Sequence, residues 1–427
     1  MSRIAVVGTG YVGLTTGVCF AHLGHEVVCG DVDAAKIAQL QRGAAPIVET
    51  GIENLLAEGL RSGRVRFVVG AAAAVAAGDC EFAVLCVPTP PAPDGGADLS
   101  YIEAAARDIA PVLAPGAVVV NKSTVPVGST KVVERALRRP DVAVVSNPEF
   151  LREGSAIHDF LHPERIVIGC EDQAAAIRVA SLYLGMPAPL VVTDPASAET
   201  IKYAANAFLA TKLSFVNAVA AVCEAVGADV NDVLLGLGYD KRIGQDFLKP
   251  GPGWGGSSFP KDTRALVKIA ADAGYDFELL TGVIAVNDEQ QRRVVAKIEA
   301  AADGELDGKV VAMWGLTFKA RTDDLRESPS LVIAAELVAR GAKVRAYDPT
   351  VHSPIPDVAI DVCTDPFDAC DGAAVLAVLT EWDEFRWLDL GRAAAAMSSP
   401  TVVDTRNVLD RSAARRAGFS YTGIGRA

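Results

Sequence analysis

Residues 251–262 read GPGWGGSSFPKD, and their types already suggest chemistry. Glycine at this density lets backbone approach a ligand closely, and Lys261 and Asp262 set an acid/base couple beside the hydroxyls of Ser257 and Ser258. The plainer account of the loop alone is a tight turn before a helix, capped by Ser257 or Ser258. A second group lies on a long apolar stretch, where Glu199, Lys202 and Asn206 stand at i, i+3 and i+7 on one helical face. A lysine placed there is either the partner of a buried carboxylate or a catalytic cation, and the structural role is the commoner one. A third group, NPEFLREGSAIHDFLHPERIVIG from Asn147, carries Glu149, Arg152, Glu153, His158, Asp159 and Arg165 just past a strand end. Open α/β sheets place their ligands there, and the alternative is a solvated charged loop.

These groups need elements to hold them. RIAVV is a short strand, Gly8-Thr9-Gly10-Tyr11-Val12-Gly13 a turn, LTTGVCFAHLG a helix, and HEVVCGD a second strand that ends on Asp31, 18 residues after Gly13. That βαβ context is what a dinucleotide fingerprint requires: a tight turn, close approach to a pyrophosphate, and a carboxylate for ribose hydroxyls. Asp31 speaks for NAD over NADP, because it would repel a 2′-phosphate. Further strands are expected at 82–87, 117–123, 142–147, 165–169 and 189–193, giving a parallel, doubly wound sheet over residues 1–194. From about 195 the pattern turns helical, with one long helix to about Gly227 and a second helical stretch from Thr263 to about Ala301. Strands return at 309, as KVVAMWG, AKVRAYD, AAVLAVLT and TVVDTRN, in a second α/β domain without the glycine fingerprint. The reading is α/β, with two Rossmann-like doubly wound domains (1–194 and 302–427) joined by a central helical segment (195–301).

Composition narrows the class. The chain has 427 residues, half of them hydrophobic, with 40 basic against 53 acidic side chains and a net charge of −13. That balance argues against nucleic acid or an anionic membrane as partner, while leaving room for a small anionic ligand at a local basic cluster. Eight scattered cysteines without a CxxC pair fit buried, reduced thiols in a cytoplasmic protein, and no metal site is expected. No secretion signal is read at MSRIAVVGTG. Residues 203–223 carry a single charge, and Lys212, Asn206 and Asn217 make a helix at a subunit interface the better account than a membrane span.

Taken together, GTGYVG, CVPTP (86–90), STVPVGS (123–129), NPEFLREGSAIHD (147–159), KYAANAFLATKLSF (202–215), RIGQDFLKPGPGWGGSSFPKD (242–262), GLTFK (315–319), LRESPS (325–330) and VVDTRN (402–407) resemble the nucleotide-sugar 6-dehydrogenases over nearly the whole chain. The RIG…FLKPG stretch is more similar to the UDP-glucose branch than to the GDP-mannose branch. The resemblance implies NAD-dependent oxidation of a sugar C6 alcohol to a carboxylate, UDP-glucose to UDP-glucuronate through the 6-aldehyde, by a homodimer built on the central helix. By matching motif it implies that Gly8, Gly10, Tyr11, Val12, Gly13, Asp31, Lys36, Thr89, Thr124, Glu153, Lys261 and Arg326 bind the cofactor. Glu149, Phe150, Leu151, Lys202, Asn206, Arg242, Phe247, Leu248, Lys249, Gly255, Phe318, Lys319 and Arg406 are implied to bind the sugar nucleotide, with Arg242 reaching into the neighbouring subunit.

Thr124, Glu149, Lys202, Asn206, Asp262 and the residue at 258 are the implied catalytic set. The family's loop has a nucleophilic cysteine where this chain has Ser258. A cysteine would take the aldehyde as a hemithioacetal and, after the second hydride transfer, a thioester that water hydrolyses with help from Asp262 and Glu149, while Lys202 and Asn206 stabilise the oxyanion. A serine has no comparable ionised population and no histidine in the loop to activate it. Ser258 is therefore a Cys-to-Ser replacement that traps a complex, a natural variant that stops at or slows beyond the aldehyde, or the mark of a pseudoenzyme that binds nucleotide sugars. A one-step β-hydroxyacid-type dehydrogenase is the remaining alternative, and the second α/β domain argues against it.

Overall fold

The computed structural model describes residues 1–93 and 95–426 and divides into two compact units, Met1–Ala205 with Arg264–Gly274, and Asn206–Thr263 with Tyr275–Ala427. In unit 1 the sheet among the described residues runs β3-β2-β1-β4-β5-β6-β7-β8, with β1 Arg3–Val7, β2 Glu26–Asp31, β3 Val65–Val69, β4 Phe82–Leu85, β5 Val118–Asn121, β6 Ala143–Ser146, β7 Ile166–Gly169 and β8 Leu190–Thr193. Successive residues of β1 enter opposite cores: Ile4 and Val6 pack with Leu14, Val18 and Phe20, while Ala5 and Val7 pack with Val28, Ala83 and Leu85. Both faces are covered, so the strand reads as an unbroken apolar run.

The first six strands are parallel, but β6 meets β7 antiparallel through Ser146 and Gly169. This corrects the expectation of a wholly parallel sheet. The chain between these strands forms the ionisable loop and a short helix, Ala156–Leu161, instead of a full crossover.

In unit 2 the strands β9 Val310–Trp314, β10 Lys343–Tyr347, β11 Asp361–Val362, β12 Val375–Val378, β13 Thr401–Asp404 and β14 Ser420–Gly423 form a parallel sheet of order β11-β10-β9-β12-β13-β14. The long helix Pro195–Val226 starts with proline at its first position and Asp194 accepting from the Ser197 N–H at 2.8 Å. By length and composition it could cross a membrane, with 33% of its apolar window buried within the chain. Its polar residues have partners in their own unit, Ser214 donating to the Val283 carbonyl and Asn217 accepting from the Gly251 N–H, as in a helix of a folded core. The helical stretch expected from Thr263 to Ala301 is two helices, Phe259–Asp272 and Glu278–Ala301. Gly274 between them has φ +80°, a left-handed turn that ends the first helix and that no periodicity reveals.

Candidate active site

The fingerprint lies where β1 turns into the helix Tyr11–His22 of unit 1. A Cβ on Gly13 would stand 1.9 Å from the Gly8 carbonyl oxygen, so this glycine lets the helix start against the turn. A Cβ on Gly10 would meet nothing within 4 Å, and the helix above it has no side-chain cap. The first-turn N–H groups thus face open space suited to a pyrophosphate. Asp31 closes β2, accepting from the Thr9 N–H (2.8 Å), the Thr9 hydroxyl (2.7 Å) and Lys36 Nζ (3.3 Å) through Oδ2, and from the Asp33 N–H (3.0 Å) through Oδ1. Burial alone would raise its pKa, but the hydrogen bonds from Asp33 and Thr9 and the Lys36 charge outweigh it and hold the carboxyl below the usual value. An ionised carboxylate at a strand end beside an open helix terminus suits the diol of an adenosine ribose, so the residues present fit a dinucleotide.

In the same unit Glu149 follows β6 and receives Lys202 Nζ at 2.9 Å, with side chains 8% and 5% exposed. Its other oxygen accepts the Leu151 N–H at 2.6 Å. The lysine is thus the partner of a buried carboxylate, one of the two roles its place in the sequence allowed. Phe150 has two cations near its ring, the Arg165 guanidinium 3.5 Å and Lys202 Nζ 5.4 Å from the ring centre. Thr89 donates to the Thr124 carbonyl at 2.8 Å, which brings these two expected cofactor residues together. Glu153 is in the loop after Leu151, half-buried.

Unit 2 assembles the GPGWGGSSFPKD loop. Asp262, fully buried, accepts from Asn206 Nδ2 (2.6 Å) and pairs with Lys261 Nζ (2.6 Å). Ser258 immediately precedes the helix, and its carbonyl accepts the Asp262 N–H at 2.8 Å. No hydrogen bond is recorded for its hydroxyl among the described residues. The loop presses on its neighbours: a Cβ on Gly255 would lie 1.9 Å from the Glu327 carbonyl oxygen, and one on Gly256 would lie 2.7 Å from the Phe318 ring. Arg406 donates to the carbonyls of Leu379 (2.9 Å) and Phe318 (3.2 Å), and Lys319 Nζ is 5.5 Å from the Phe318 ring centre. Leu248 is buried and Lys249 exposed, while Phe247 adopts φ +61° with its ring 6.3 Å from Phe259. Arg326 pairs with Asp324, and Arg242, 89% exposed, pairs with Asp240.

The expected cofactor set therefore divides between the units, with Lys261 and Arg326 in unit 2 and the others in unit 1. The expected sugar-nucleotide set divides too, since Glu149, Phe150, Leu151 and Lys202 belong to unit 1. All eight cysteines are free thiols, and none is in the loop. Burial pushes Cys19 and Cys86 up to about 12 and Cys80 to about 11, away from the reactive thiolate.

Two networks escape sequence reasoning. Tyr11 in the fingerprint bonds the buried Glu49, and the Gly154 N–H donates to both, at 2.6 Å to the phenol and 2.7 Å to the carboxylate. The buried Lys122 donates to Asn147 Oδ1 (3.3 Å) and the Tyr183 hydroxyl (3.2 Å), beneath the segment that carries Glu149. The signal available was a lone acid in IVETG and a lone lysine in NKST, neither with a partner within reach in sequence.

Comparison with known proteins gives the family. Residues 2–186 match the NAD binding domain of the UDP-glucose/GDP-mannose dehydrogenase family, residues 196–289 its central domain and residues 312–411 its UDP binding domain. The chain is 47% identical over 436 residues to a UDP-glucose 6-dehydrogenase of Rhizobium meliloti (strain 1021), covering 99% of each chain. It is 43% identical over 434 residues to the UDP-glucose 6-dehydrogenase TuaD of Bacillus subtilis (strain 168), covering 100% of this chain and 94% of the other. Among solved structures, a UDP-glucose dehydrogenase from the hyperthermophilic archaeon Pyrobaculum islandicum superposes with a TM-score of 0.92 at 40% identity, covering 100% and 98% of the two chains.

Proposed function

Because the chain belongs to the UDP-glucose/GDP-mannose dehydrogenase family, we propose that it oxidises the C6 hydroxyl of UDP-glucose to the 6-aldehyde and proceeds only slowly to UDP-glucuronate. It is an NAD-dependent oxidoreductase, and NAD supplies the hydride acceptor. The observation that carries the slow second step is Ser258 at the position of the family's cysteine, with no hydrogen-bonded base recorded for its hydroxyl among the described residues, while Asp262, Asn206, Lys202 and Glu149 are all present and partnered.

In the first oxidation the C6–H bond breaks with its electron pair as hydride, and the hydroxyl proton leaves to a carboxylate, Asp262 or Glu149, directly or through water. Lys202 and Asn206 are N–H donors suited to the negative charge that grows on the C6 oxygen. None of this needs a thiol. For the acid to form, the aldehyde must carry a second oxygen. With serine at 258, that oxygen comes from water as the hydrate, whose C6–H then leaves as the second hydride, with no thioester.

Substrate recognition is assigned to Phe318, Lys319 and Arg406 with Phe247, Leu248, Lys249 and Gly255, and Arg242 to the partner subunit's site. The dimer is supported by Phe208, Phe215 and Val222, one heptad apart along the long helix and 65%, 57% and 59% exposed, an apolar stripe that a second copy would cover. On this reading residues 195–301 serve dimerisation, with 1–194 and 302–427 holding the two nucleotides. The test is a substrate panel under excess NAD⁺. UDP-glucose is expected to give NADH, with GDP-mannose and 3-hydroxy acids silent. NADH from a 3-hydroxy acid, or from none of the panel, would refute the assignment.

A further inference from the structure

Glu199 lies three residues before Lys202 on the long helix, and its carboxylate accepts three hydrogen bonds within unit 1. It is 2% exposed, and its Oε2 accepts the Gly128 N–H at 2.6 Å while Oε1 accepts the Thr130 N–H at 2.9 Å and the Thr130 hydroxyl at 2.8 Å. Those donors are the N-terminus of the helix Ser129–Leu137, whose cap position is Gly128 at φ +95° with no side-chain cap of its own. Ser129, the residue that could have turned its hydroxyl to this end, instead donates to the Pro126 carbonyl at 2.6 Å. The cap is thus supplied from a different helix, about 70 residues on in sequence.

A local Ser or Thr could cap such a terminus without burying a charge, and burial does push the Glu199 carboxyl upward against the hydrogen bonds that favour its ionised form. What the distant cap adds is registration. The segment it ends runs from β5 through Thr124 to Gly128. Its start is tied by the Lys122 N–H to the Leu85 carbonyl (3.0 Å) and by the Ser123 hydroxyl to the Val87 carbonyl (2.8 Å), its middle by Thr89 to the Thr124 carbonyl (2.8 Å), and its far end by Glu199. Three residues along the long helix, about one turn, Lys202 holds Glu149. We propose that Glu199 is a positioning residue that fixes the Thr124 segment relative to the helical turn carrying Lys202, so that the groups serving the first hydride transfer keep one geometry. The proposal rests on the functional reading above for the identity of the reaction, while the clamp itself can be observed without turnover.

The experiment compares the full-length chain with Glu199→Gln and Thr130→Ala. Gln is isosteric but sets an N–H donor in place of one carboxylate oxygen, facing the donors of Gly128 or Thr130, and Thr130→Ala removes one of the three bonds. Glu199→Gln is expected to lower the single-turnover rate of NADH formation by about 10–100-fold, the scale of an ångström-sized misplacement. The isotope effect with C6-deuterated UDP-glucose should rise, while the Kd of NAD and of UDP-glucose should each change by less than about threefold. Amide exchange in peptides covering 123–131 should quicken. Thr130→Ala should show the same pattern at smaller amplitude. Unchanged exchange would overturn the clamp. Faster exchange with an unaltered rate and isotope effect, or with rate and both affinities lost together, would reduce Glu199 to an ordinary structural cap and overturn the positioning role. If the unmodified chain oxidised another nucleotide sugar, the substrate assignment would fail and the same comparison would run on that sugar.

Discussion

Replacing Lys202 by methionine separates the structural from the chemical meaning of its pair with Glu149. The two charges stand 2.9 Å apart with side chains 5% and 8% exposed, so Lys202→Met leaves a largely buried carboxylate without its cation, with the Leu151 N–H as its remaining protein donor among the described residues. Breaking one side of a buried pair typically costs about 3–5 kcal/mol, whereas replacing both partners by neutral groups of similar shape is often close to neutral. In a unit of this size that loss lowers the unfolding midpoint by roughly 6–20 °C. The double variant Lys202→Met/Glu149→Gln should recover most of that midpoint. It should not recover chemistry: both variants should form NADH from UDP-glucose at least about 10²-fold more slowly than the unmodified chain, the usual scale for losing a donor at a developing oxyanion. Calorimetry and single-turnover absorbance at the NADH band read the two effects separately. A Lys202→Met chain that unfolded within a degree or two of the unmodified chain would refute the buried pair, and a double variant with normal NADH formation would refute its place in the reaction.

Asp31→Ala should weaken NAD binding by about 10-fold or more and leave UDP-glucose affinity within error by calorimetric titration, because the ribose diol is the ligand group that needs a carboxylate there. The folded Asp31 carboxyl titrates below its unfolded value of about 3.9, so its stabilising contribution is complete above that pH and is lost as pH falls through the lower folded value. Asp31→Asn should accordingly flatten acid unfolding in that range, read by circular dichroism. Phe215→Glu should convert the proposed dimer to monomers in sedimentation velocity, since it would bury a charge against a second copy of the stripe, and an unchanged mass would refute an interface there. Ser258→Cys should raise UDP-glucuronate formation by at least about 10²-fold, because a thiol of pKa about 8.5 is partly thiolate at neutral pH. No change, measured by mass spectrometry, would mean that position 258 is not where the aldehyde is captured.

Much of this architecture is carried by short-range pattern. The fingerprint, Asp31 and the RIAVV strand are legible because turn, helix and acid follow one another within a single βαβ unit. Lys202 and Asn206 are legible as sharing a helical face, though not the partner each would hold. What stayed hidden depends on contacts that close long loops. Glu199 meets Gly128 and Thr130, and Glu49 meets Tyr11 and Gly154, across sequence separations at which no periodicity operates. The strands β3, β11 and β14 are not legible because VRFVV carries an arginine at its second position, β11 is only two residues long and SYTG is mostly polar, so none shows the apolar run that a buried parallel strand presents. Asp348 shows the opposite limit. It follows β10 as Asp31 ends β2 and accepts the Leu316 N–H (2.8 Å) and Thr317 N–H (3.1 Å), but it is fully buried where Asp31 is not, a difference the shared local pattern does not show.

The most direct measurement is the number of NADH formed per UDP-glucose consumed under excess NAD⁺, with the product weighed by mass spectrometry. The account predicts close to one NADH per sugar at early times, with the 6-aldehyde or its hydrate accumulating and UDP-glucuronate appearing slowly. Two NADH per sugar from the first turnovers, with UDP-glucuronate as the product and no aldehyde, would contradict it and assign to Ser258 or a bound water the full work of a thiol.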